Sequence, residues 1–289
     1  FPFKDCDEIK RYPSKRLSRY EYGRYGTPTQ TAVEDKLAEL EGAEECLAFD
    51  SGMGAITTTL LALMKHGDHI VLTDDVYKQT LNLCVNHLPR FGIQSTVVKM
   101  GDYAALEKAI RKETRVIFTE SPTNPYLNII DLERMGRIRK KYGKLMIIDS
   151  TFATPLYQRP LEWGMDLVIH SATKYLGGHA DALGGAVCGP ADLVQQIYHY
   201  REINGATLHP MAAYLLLRGM KTLHLRIRQQ NESALHIARF LADHPQVVRV
   251  FYPGLESHVH HAIAARQMRG FGGVLGFTLT GDFDQIRAF

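Results

Sequence analysis

The sequence has few cysteines and little net charge, and these shortages exclude several classes of protein. Its four cysteines, Cys6, Cys46, Cys84 and Cys188, are scattered without any C-x-x-C spacing, so neither a zinc site nor a redox pair is predicted. Unpaired thiols fit a reducing compartment. Lys and Arg exceed Asp and Glu by only three, which is too few for the dense basic face that nucleic-acid binding requires.

Long apolar runs are also missing. Hydrophobic residues make up 45% of the chain, an ordinary share for a globular protein, but no stretch is long enough to span a bilayer. The charged opening, residues 1–19, is unlike a signal peptide. We therefore expect a cytoplasmic protein with neither a membrane nor a nucleic-acid partner. The sequence starts with Phe, and its last stretch, Val274 to Phe289, is typical of a strand, a Gly-Asp turn and the first turns of a helix. Both ends therefore look cut, and the plastid stroma stays an alternative location.

Short β-rich runs alternate with helical patterns over most of the chain. This alternation predicts an α/β fold, with a mainly parallel seven-stranded sheet covered by helices on both faces. A typical helical pattern is Asp131 to Tyr142, which is apolar at Leu132, Met135 and Ile138. The seven predicted strands are Cys46–Phe49, His69–Leu72, Ser95–Val98, Val116–Thr119, Leu145–Ile148, Leu167–Ile169 and Gly185–Val187.

We divide the chain into an N-terminal arm (1–20), an α/β domain (21–205) and the start of a smaller C-terminal α/β domain (206–289). After Gly205 a nearly uninterrupted helical pattern runs from about Pro210 to His244, and a β-rich segment follows. The arm is too polar to bury itself, so we expect it to lie against another subunit.

Two charged residues follow predicted strands and suggest a cofactor. In open α/β sheets, ligands bind beyond the carboxyl ends of the strands. Lys174 ends the run Ser171-Ala172-Thr173-Lys174, and such a lysine can form an imine with an aldehyde while neighbouring hydroxyls hold a phosphate. Asp149 ends an apolar strand, where a carboxylate needs a positive partner such as a protonated pyridine nitrogen.

Three further sites lie at the same predicted edge. The turn Ser51-Gly52-Met53-Gly54 opens a helix at Ala55, and its N–H groups would bind an anion. Tyr77 could lie flat on a ring, and Asn124, in a proline-bracketed loop, could bond a phenolic oxygen. Each residue taken singly also has an ordinary explanation as a cap, core or turn residue, but their occurrence at one sheet edge favours a pyridoxal 5'-phosphate (PLP) site.

Two motifs resemble those of the Cys/Met-metabolism family of PLP enzymes, from about Tyr20 to Phe277. They are the lysine motif 171–181 and the ring-nitrogen motif 149–155. The resemblance implies PLP fold type I with PLP carried by Lys174. It also implies that Lys174 and Tyr77 are the catalytic residues. The residues that it implies for cofactor binding are Tyr22, Arg24, Gly52, Met53, Tyr77, Asn124, Asp149, Thr151, Ser171, Thr173 and Lys174.

The segment 22–29 resembles the family strap that reaches into a neighbouring subunit. By that resemblance, Tyr22 and Arg24 bind phosphate in trans, which implies a dimer at least and favours a homotetramer, a dimer of dimers. The family's arginine for the substrate carboxylate is expected beyond Phe289.

Other segments resemble the plant-type cystathionine γ-synthases of this family. They are residues 20–26, 76–80, 206–214 and 218–226. The resemblance implies γ-replacement, in which cysteine and an activated homoserine ester give cystathionine. Cystathionine γ-lyase, cystathionine β-lyase and O-acylhomoserine sulfhydrylase stay open as alternatives. A methionine γ-lyase is disfavoured because Lys78 and Gln79, rather than a cysteine, follow Tyr77. Thr27, Ser150 and Ala180 depart from the usual family pattern.

Three readings of other classes compete. Gly52-x-Gly54 before a helix suggests a nucleotide-binding dehydrogenase, but Thr57 replaces its third glycine. His258, His260 and His261 suggest a metal site, although we expect them to be solvated and predict no metal. A non-catalytic interaction protein with this fold is disfavoured because Lys174 and Asp149 are both retained.

Overall fold

The computed structural model describes residues 6, 7, 20–281 and 287, and its main sheet has the seven predicted strands. Their order is β1-β7-β6-β5-β4-β2-β3, and β7 alone runs antiparallel to its neighbours. The predicted, mainly parallel α/β fold is confirmed. The strands are β1 (Glu45–Phe49), β2 (His69–Thr73), β3 (Gln94–Val98), β4 (Thr114–Glu120), β5 (Leu145–Asp149), β6 (Leu167–His170) and β7 (Gly185–Gly189).

Helices cover both faces of this sheet. Residues of α2 and α7 pack in one apolar layer, while residues of α1, α4, α5 and α8 pack on the opposite face. The helices are α1 (Pro28–Glu41), α2 (Gly52–Leu63), α3 (Lys78–Asn82), α4 (Tyr103–Ala109), α5 (Leu132–Tyr142), α6 (Thr154–Tyr157), α7 (Ala191–Asn204), α8 (Pro210–Met220), α9 (Leu223–Ala242) and α10 (His261–Gln267).

Helix α5 shows how the sequence pattern becomes packing. The Asp131 side chain accepts a hydrogen bond from the Arg134 N–H at the helix start, which satisfies one of the free amides there. Leu132, Met135 and Ile138 are buried in the apolar layer on one face of the sheet, as their three-residue spacing predicts for a helix. Leu132 and Ile138 therefore help to fix the strands whose ends carry the polar residues.

The prediction of one long helix after Gly205 is wrong, because the structure has two helices there. Helix α8 ends at Met220, and α9 begins at Leu223. The Gly219 carbonyl accepts hydrogen bonds from the hydroxyl of Thr222 and from Nη2 of Arg226, at 3.2 and 2.8 Å. These side chains bond a carbonyl at the end of α8, where the apolar periodicity of the sequence carries no signal for a break.

The C-terminal segment forms a separate two-stranded sheet of β8 (Val247–Phe251) and β9 (Gly276–Leu279). The domain boundaries near residues 20 and 205 stay predictions. Most of the arm before Tyr20, and the helical turns expected after Gly281, lie outside the described residues. In the part of the chain that the structure describes, no helix is both long and apolar enough to cross a membrane.

Candidate active site

A cavity of about 280 Å³ lies at the carboxyl ends of the parallel strands, and nine predicted site residues line it. Its lysine side consists of Asp149, Thr151, Ser171, Thr173 and Lys174, and its tyrosine side of Tyr77, Glu120 and Asn124. Gly52 and Met53 line the cavity at the start of α2. Lys174 also lines a second cavity of about 710 Å³, so it lies between the two spaces.

The start of α2 forms the end of the cavity suited to an anion. The Ser51 side chain accepts a hydrogen bond from the Gly54 N–H at 3.0 Å, so the helix begins at Gly52 and not at Ala55 as predicted. A Cβ on Gly52 would lie only 2.9 Å from Cβ of Ser171. Glycine therefore permits the close approach of α2 to the loop after β6, at a helix start whose free N–H groups are suited to an anion.

Asp149 is the buried acid of the lysine side. Its Oδ1 accepts hydrogen bonds from the Thr151 N–H at 3.0 Å and from the Thr151 hydroxyl at 2.5 Å, and the Thr151 oxygen accepts from the Ser171 N–H at 2.8 Å. Burial raises the pKa of Asp149, whereas the two bonds from Thr151 lower it. Among the described residues no Lys or Arg forms an ion pair with this carboxyl group, so a cationic ligand would relieve the cost of its burial.

The loop that carries Lys174 is held at both ends. The Thr173 hydroxyl donates to the Gly184 carbonyl at 3.2 Å and accepts from the Gly184 N–H at 3.1 Å. On the far side, Nη1 of Arg226 donates to the Tyr175 carbonyl at 2.9 Å. A contact from α9 thus helps to fix the direction in which Lys174 leaves the sheet.

The tyrosine side is held by a buried carboxyl group. Oε2 of Glu120 accepts a hydrogen bond from the Tyr77 N–H at 2.6 Å. Glu120 ends β4 and is the register partner of Asp149 on β5. Burial, and then the charge of Asp149, raise the pKa of Glu120 well above its usual range.

Asn124 belongs to a loop that is anchored from two directions. From the loop after β2, Oδ2 of Asp75 accepts hydrogen bonds from the Thr123 hydroxyl and the Asn128 amide, each at 2.6 Å. From the C-terminal segment, Nδ1 of His260 accepts the Ile129 N–H at 3.2 Å. The exposed Asn124 therefore lies on a braced loop and not on a free turn.

The three histidines near Pro253 brace the fold. His258, expected to be solvated, is buried, and its Nε2 lies 3.2 Å from the Tyr126 carbonyl; Nδ1 of His261 lies 2.7 Å from the Pro253 carbonyl. Burial lowers the pKa of His258 and of His260. In the described ranges no cluster of three His, Cys, Asp or Glu side chains is arranged to hold a metal ion.

Tyr22 and Arg24 do not line either cavity of their own chain. Both are exposed, and the Arg24 guanidinium lies 4.9 Å from the centre of the Tyr22 ring. The Arg24 carbonyl accepts a hydrogen bond from the Thr207 hydroxyl. The segment is therefore held at its backbone, while these two side chains stay exposed and outside the lining of the described site.

The three departures from the family pattern fall in different places. The Thr27 hydroxyl caps α1 by accepting the Gln30 N–H. The buried Ser150 hydroxyl accepts from the Gln158 amide, and Ala180 lines the second cavity. None of the three lines the smaller cavity.

Sequence reasoning missed Glu120 and Phe152 among the lining residues of the smaller cavity, together with the aliphatic Ile56 and Leu183. Glu120 carries the same signal that identified Asp149, because it is an acid at the carboxyl end of an apolar strand. Phe152 lies three residues after Asp149 and has no comparable signal, since an aromatic residue in a loop is most often part of a core.

The site geometry agrees with a sequence comparison. The chain matches the family described as Cys/Met metabolism PLP-dependent enzyme over residues 1–289. It belongs to that family. The nucleotide-binding dehydrogenase reading is therefore wrong.

Relatives with known names support this membership. Cystathionine gamma-synthase 1, chloroplastic, of Arabidopsis thaliana is 50% identical over 99% of this chain and 51% of its own length. Cystathionine gamma-lyase of Bacillus subtilis is 46% identical over 100% of this chain and 76% of its own length. The chain spans about half the length of the first plant relatives that it matches.

A solved structure shows the same fold. The crystal structure of cystathionine gamma synthase from Xanthomonas oryzae pv. oryzae, in complex with aminoacrylate and cysteine, superposes with a TM-score of 0.90 at 38% identity. The match covers 94% of this chain and 71% of that one. The prediction of the PLP fold type I is confirmed.

The residues present fit PLP, the cofactor of this family. Lys174 offers a primary amine, and the buried Asp149 lines the same cavity. The Gly52 position, where a Cβ would meet Ser171, gives a phosphate room beside a helix start. The amine, the acid and the phosphate cradle are the three features that a pyridine aldehyde phosphate requires.

Proposed function

We propose that this protein catalyses PLP-dependent γ-replacement, joining an activated homoserine ester with L-cysteine to give cystathionine. The observation that carries the proposal is that Lys174 and Asp149 line one cavity beside the start of α2. The plant relatives at 50% and 48% identity are named cystathionine gamma-synthases, one of them as probable. The substrates are therefore small amino acids.

Lys174 holds the cofactor and moves protons. When bound, PLP supplies an electron sink for the carbon atoms next to the substrate amine. With PLP bound, Nζ of Lys174 would be the base that takes the proton from the substrate α-carbon, and it would act as an acid or base at the neighbouring carbons. Its place between the two cavities gives it access to both the cofactor space and the open side.

Asp149 keeps the ring nitrogen protonated. Its carboxylate is oriented by Thr151, whose N–H and hydroxyl both bond Oδ1. The other oxygen, Oδ2, is then available to the ring nitrogen. Thr151 therefore acts in cofactor binding mainly through Asp149 and through its bond to the Ser171 N–H.

The start of α2 would hold the cofactor phosphate. Its donors would be the N–H groups of Gly52 and Met53, the Ser171 hydroxyl and the Thr173 hydroxyl, all from residues that line the cavity. Thr173 already donates to the Gly184 carbonyl, so its hydroxyl hydrogen must turn from that carbonyl to serve a phosphate. The positive end of the helix dipole adds attraction for the dianion.

The tyrosine side covers the ring and its phenolic oxygen. The Tyr77 ring stacks on the cofactor, and the Tyr77 hydroxyl assists proton transfer at the γ-leaving group. The Asn124 amide donates to the phenolic oxygen. Both residues line the cavity in the folded chain.

Elimination from cystathionine is the second candidate, because the Bacillus subtilis relative at 46% identity is named a cystathionine gamma-lyase. Cystathionine β-lyase and O-acylhomoserine sulfhydrylase use the same cofactor chemistry and stay as further alternatives. The γ-substituent of the homoserine ester, either a phosphate or an acyl group, also stays open.

A product assay separates these activities. The purified protein with PLP is given cysteine together with O-phospho-, O-acetyl- or O-succinylhomoserine, and in a separate reaction cystathionine alone. We expect cystathionine to form from one ester. Release of cysteine or homocysteine from cystathionine, without synthesis from any ester, would instead establish a lyase.

We propose further that the active unit is a homo-oligomer in which Tyr22 and Arg24 complete the phosphate site of a neighbouring subunit. The support is that neither side chain lines the cavity of its own chain and that both are exposed. A dimer of dimers would give four such sites.

For location, we propose the cytoplasm, with the plastid stroma as the alternative. Cys46 and Cys188 lie opposite each other on β1 and β7, and neither forms a disulfide, which fits a reducing compartment. The plant relatives named chloroplastic favour the alternative. Cell fractionation with an antibody against this chain distinguishes the two.

A further inference from the structure

Two loops on the tyrosine side hold each other through carboxyl groups. Glu120, at the end of β4, accepts the Tyr77 N–H from the loop after β2 at 2.6 Å. In the opposite direction, Asp75 from the loop after β2 accepts from Thr123 and Asn128 in the loop after β4. Each loop therefore places an acid against the other, and the pair fixes the separation of Tyr77 and Asn124.

The bond to Glu120 is the main fixed point of Tyr77. The Tyr77 side chain is 46% exposed, so packing holds its ring only in part. Tyr77 is the residue before the five-residue helix α3, and no side chain caps that helix start. The direction of the ring over the cavity thus depends on the backbone position that Glu120 sets.

The surroundings of Glu120 favour a neutral acceptor. Asp149 is its register partner on β5, and Asp75 also repels a negative charge there. Burial and these two acids raise the pKa of Glu120, and a neutral carboxyl group still accepts a hydrogen bond through its carbonyl oxygen. Asp149 then remains the carboxylate that faces the ring nitrogen.

We propose that Glu120 is a positioning residue: by accepting the Tyr77 N–H, it fixes the Tyr77 ring over the cofactor beside the Asp149 carboxylate. This inference rests on the proposed function, because the ring that Tyr77 covers is that of PLP. It assigns to Glu120 the placement of a catalytic side chain, with no proton transfer of its own.

Two variants of similar size separate the hydrogen bond from the charge. Glu120→Met removes the acceptor and keeps most of the volume, whereas Glu120→Gln keeps an acceptor oxygen without a charge. Glu256→Ala, at an exposed acid outside both cavities, is the matched control. For each protein, the dissociation constant for PLP, the visible circular dichroism of the bound cofactor and the melting temperature of the apo form are measured.

We expect Glu120→Met to bind PLP about tenfold more weakly, the factor that corresponds to 1.4 kcal/mol, and to change the visible circular dichroism of the bound cofactor. Glu120→Gln should bind PLP with a dissociation constant within about twofold of that of the original protein, and the visible circular dichroism of its bound cofactor should match that of the original protein. A merely structural role would lower the melting temperature without changing the dichroism of the cofactor.

The inference is overturned if Glu120→Met matches the original protein, or if Glu120→Gln is as weak as Glu120→Met. If Glu120→Met does not fold, the Gln variant decides alone, and weak binding or an altered spectrum there overturns the role. Failure of the unmodified protein to take up PLP would instead overturn the proposed function, and this inference with it.

Discussion

On the lysine side of the cavity, hydroxyl groups link residues that lie at or just after strand ends, while on the tyrosine side the carboxyl groups of Glu120 and Asp75 link two longer loops. Asp149 is the last residue of β5, and Ser171 directly follows β6. Thr151 joins them through two short bonds. The strands themselves therefore place the groups that carry the chemistry.

The tyrosine side depends on contacts between distant parts of the chain. Tyr77 and Asn124 each lie four residues after a strand. They are braced by bonds across 43 residues from Glu120 to Tyr77 and across 131 residues from His260 to Ile129. We conclude that changes on the lysine side should stop the reaction, whereas changes on the tyrosine side should mainly alter geometry and affinity.

Replacing the lysine tests the first half of this comparison and should have the largest effect. In Lys174→Ala, turnover should fall by about 10³-fold or more, because the amine that moves protons is gone. Borohydride treatment followed by mass spectrometry should detect no covalent PLP. Lys140→Ala, at an exposed position of α5, serves as the control, and retained turnover in Lys174→Ala would contradict the assignment.

Asp149→Asn separates cofactor attachment from ring chemistry. The Asn oxygen can still accept both bonds from Thr151, but its amide nitrogen now faces the ring nitrogen and donates where an acceptor is needed. Turnover should fall about 10²-fold, while borohydride still fixes PLP to Lys174. Asp243→Asn, at an exposed acid after α9, should behave like the original protein; full activity of Asp149→Asn would remove the acid from the mechanism.

Tyr77→Phe separates the two proposed roles of Tyr77, stacking on the cofactor ring and assisting proton transfer. The ring and its backbone bond to Glu120 remain, so PLP affinity should stay within about twofold. Loss of the hydroxyl should lower turnover by about tenfold to a hundredfold. Equilibrium binding and steady-state kinetics on the same sample check both; a variant with weak binding and normal turnover per bound PLP would reverse the assigned roles.

Arg24→Ala asks whether one chain completes its own site. PLP affinity should fall about tenfold, since a charged contact to phosphate is lost. An equal mixture of Arg24→Ala and Lys174→Ala chains, unfolded and refolded together, should regain up to about a quarter of the original activity, because mixed dimers contain one intact site. No recovery on mixing would mean that Arg24 does not act across subunits.

A pH titration of the apo protein should show the smallest effect. The folded Glu120 carboxyl has a pKa raised above the usual 4.5, so it keeps a proton that the unfolded chain releases. This contribution to stability is present below pH 4.5 and is lost as the pH rises through the folded pKa. The melting temperature of Glu120→Gln should rise relative to the original protein across that window, by about 2–4 °C, and a constant difference would show that Glu120 titrates normally.

Much of the lysine side could be predicted from sequence because its signals are local. An acid or a lysine just after an apolar run identified Asp149 and Lys174, and parallel strands bring such positions to one edge. The same rule applied to Glu120 would have found it, yet the bond from Tyr77 has no local signal. The break between α8 and α9 was missed because Arg226 reaches back to Gly219 and Tyr175 only in the folded chain.

The sequence by itself determined the alternation of strands and helices, the strand-end positions of Asp149 and Lys174, and the family motifs. Only the tertiary structure decided that Glu120 holds Tyr77, that Thr151 bonds the Asp149 carboxyl group, and that the buried His258 and the half-buried His260 brace the loops. The physical reason is range: periodicity and strand ends are properties of neighbouring residues, whereas a hydrogen bond between loops depends on a distance that exists only after the sheet has brought them together.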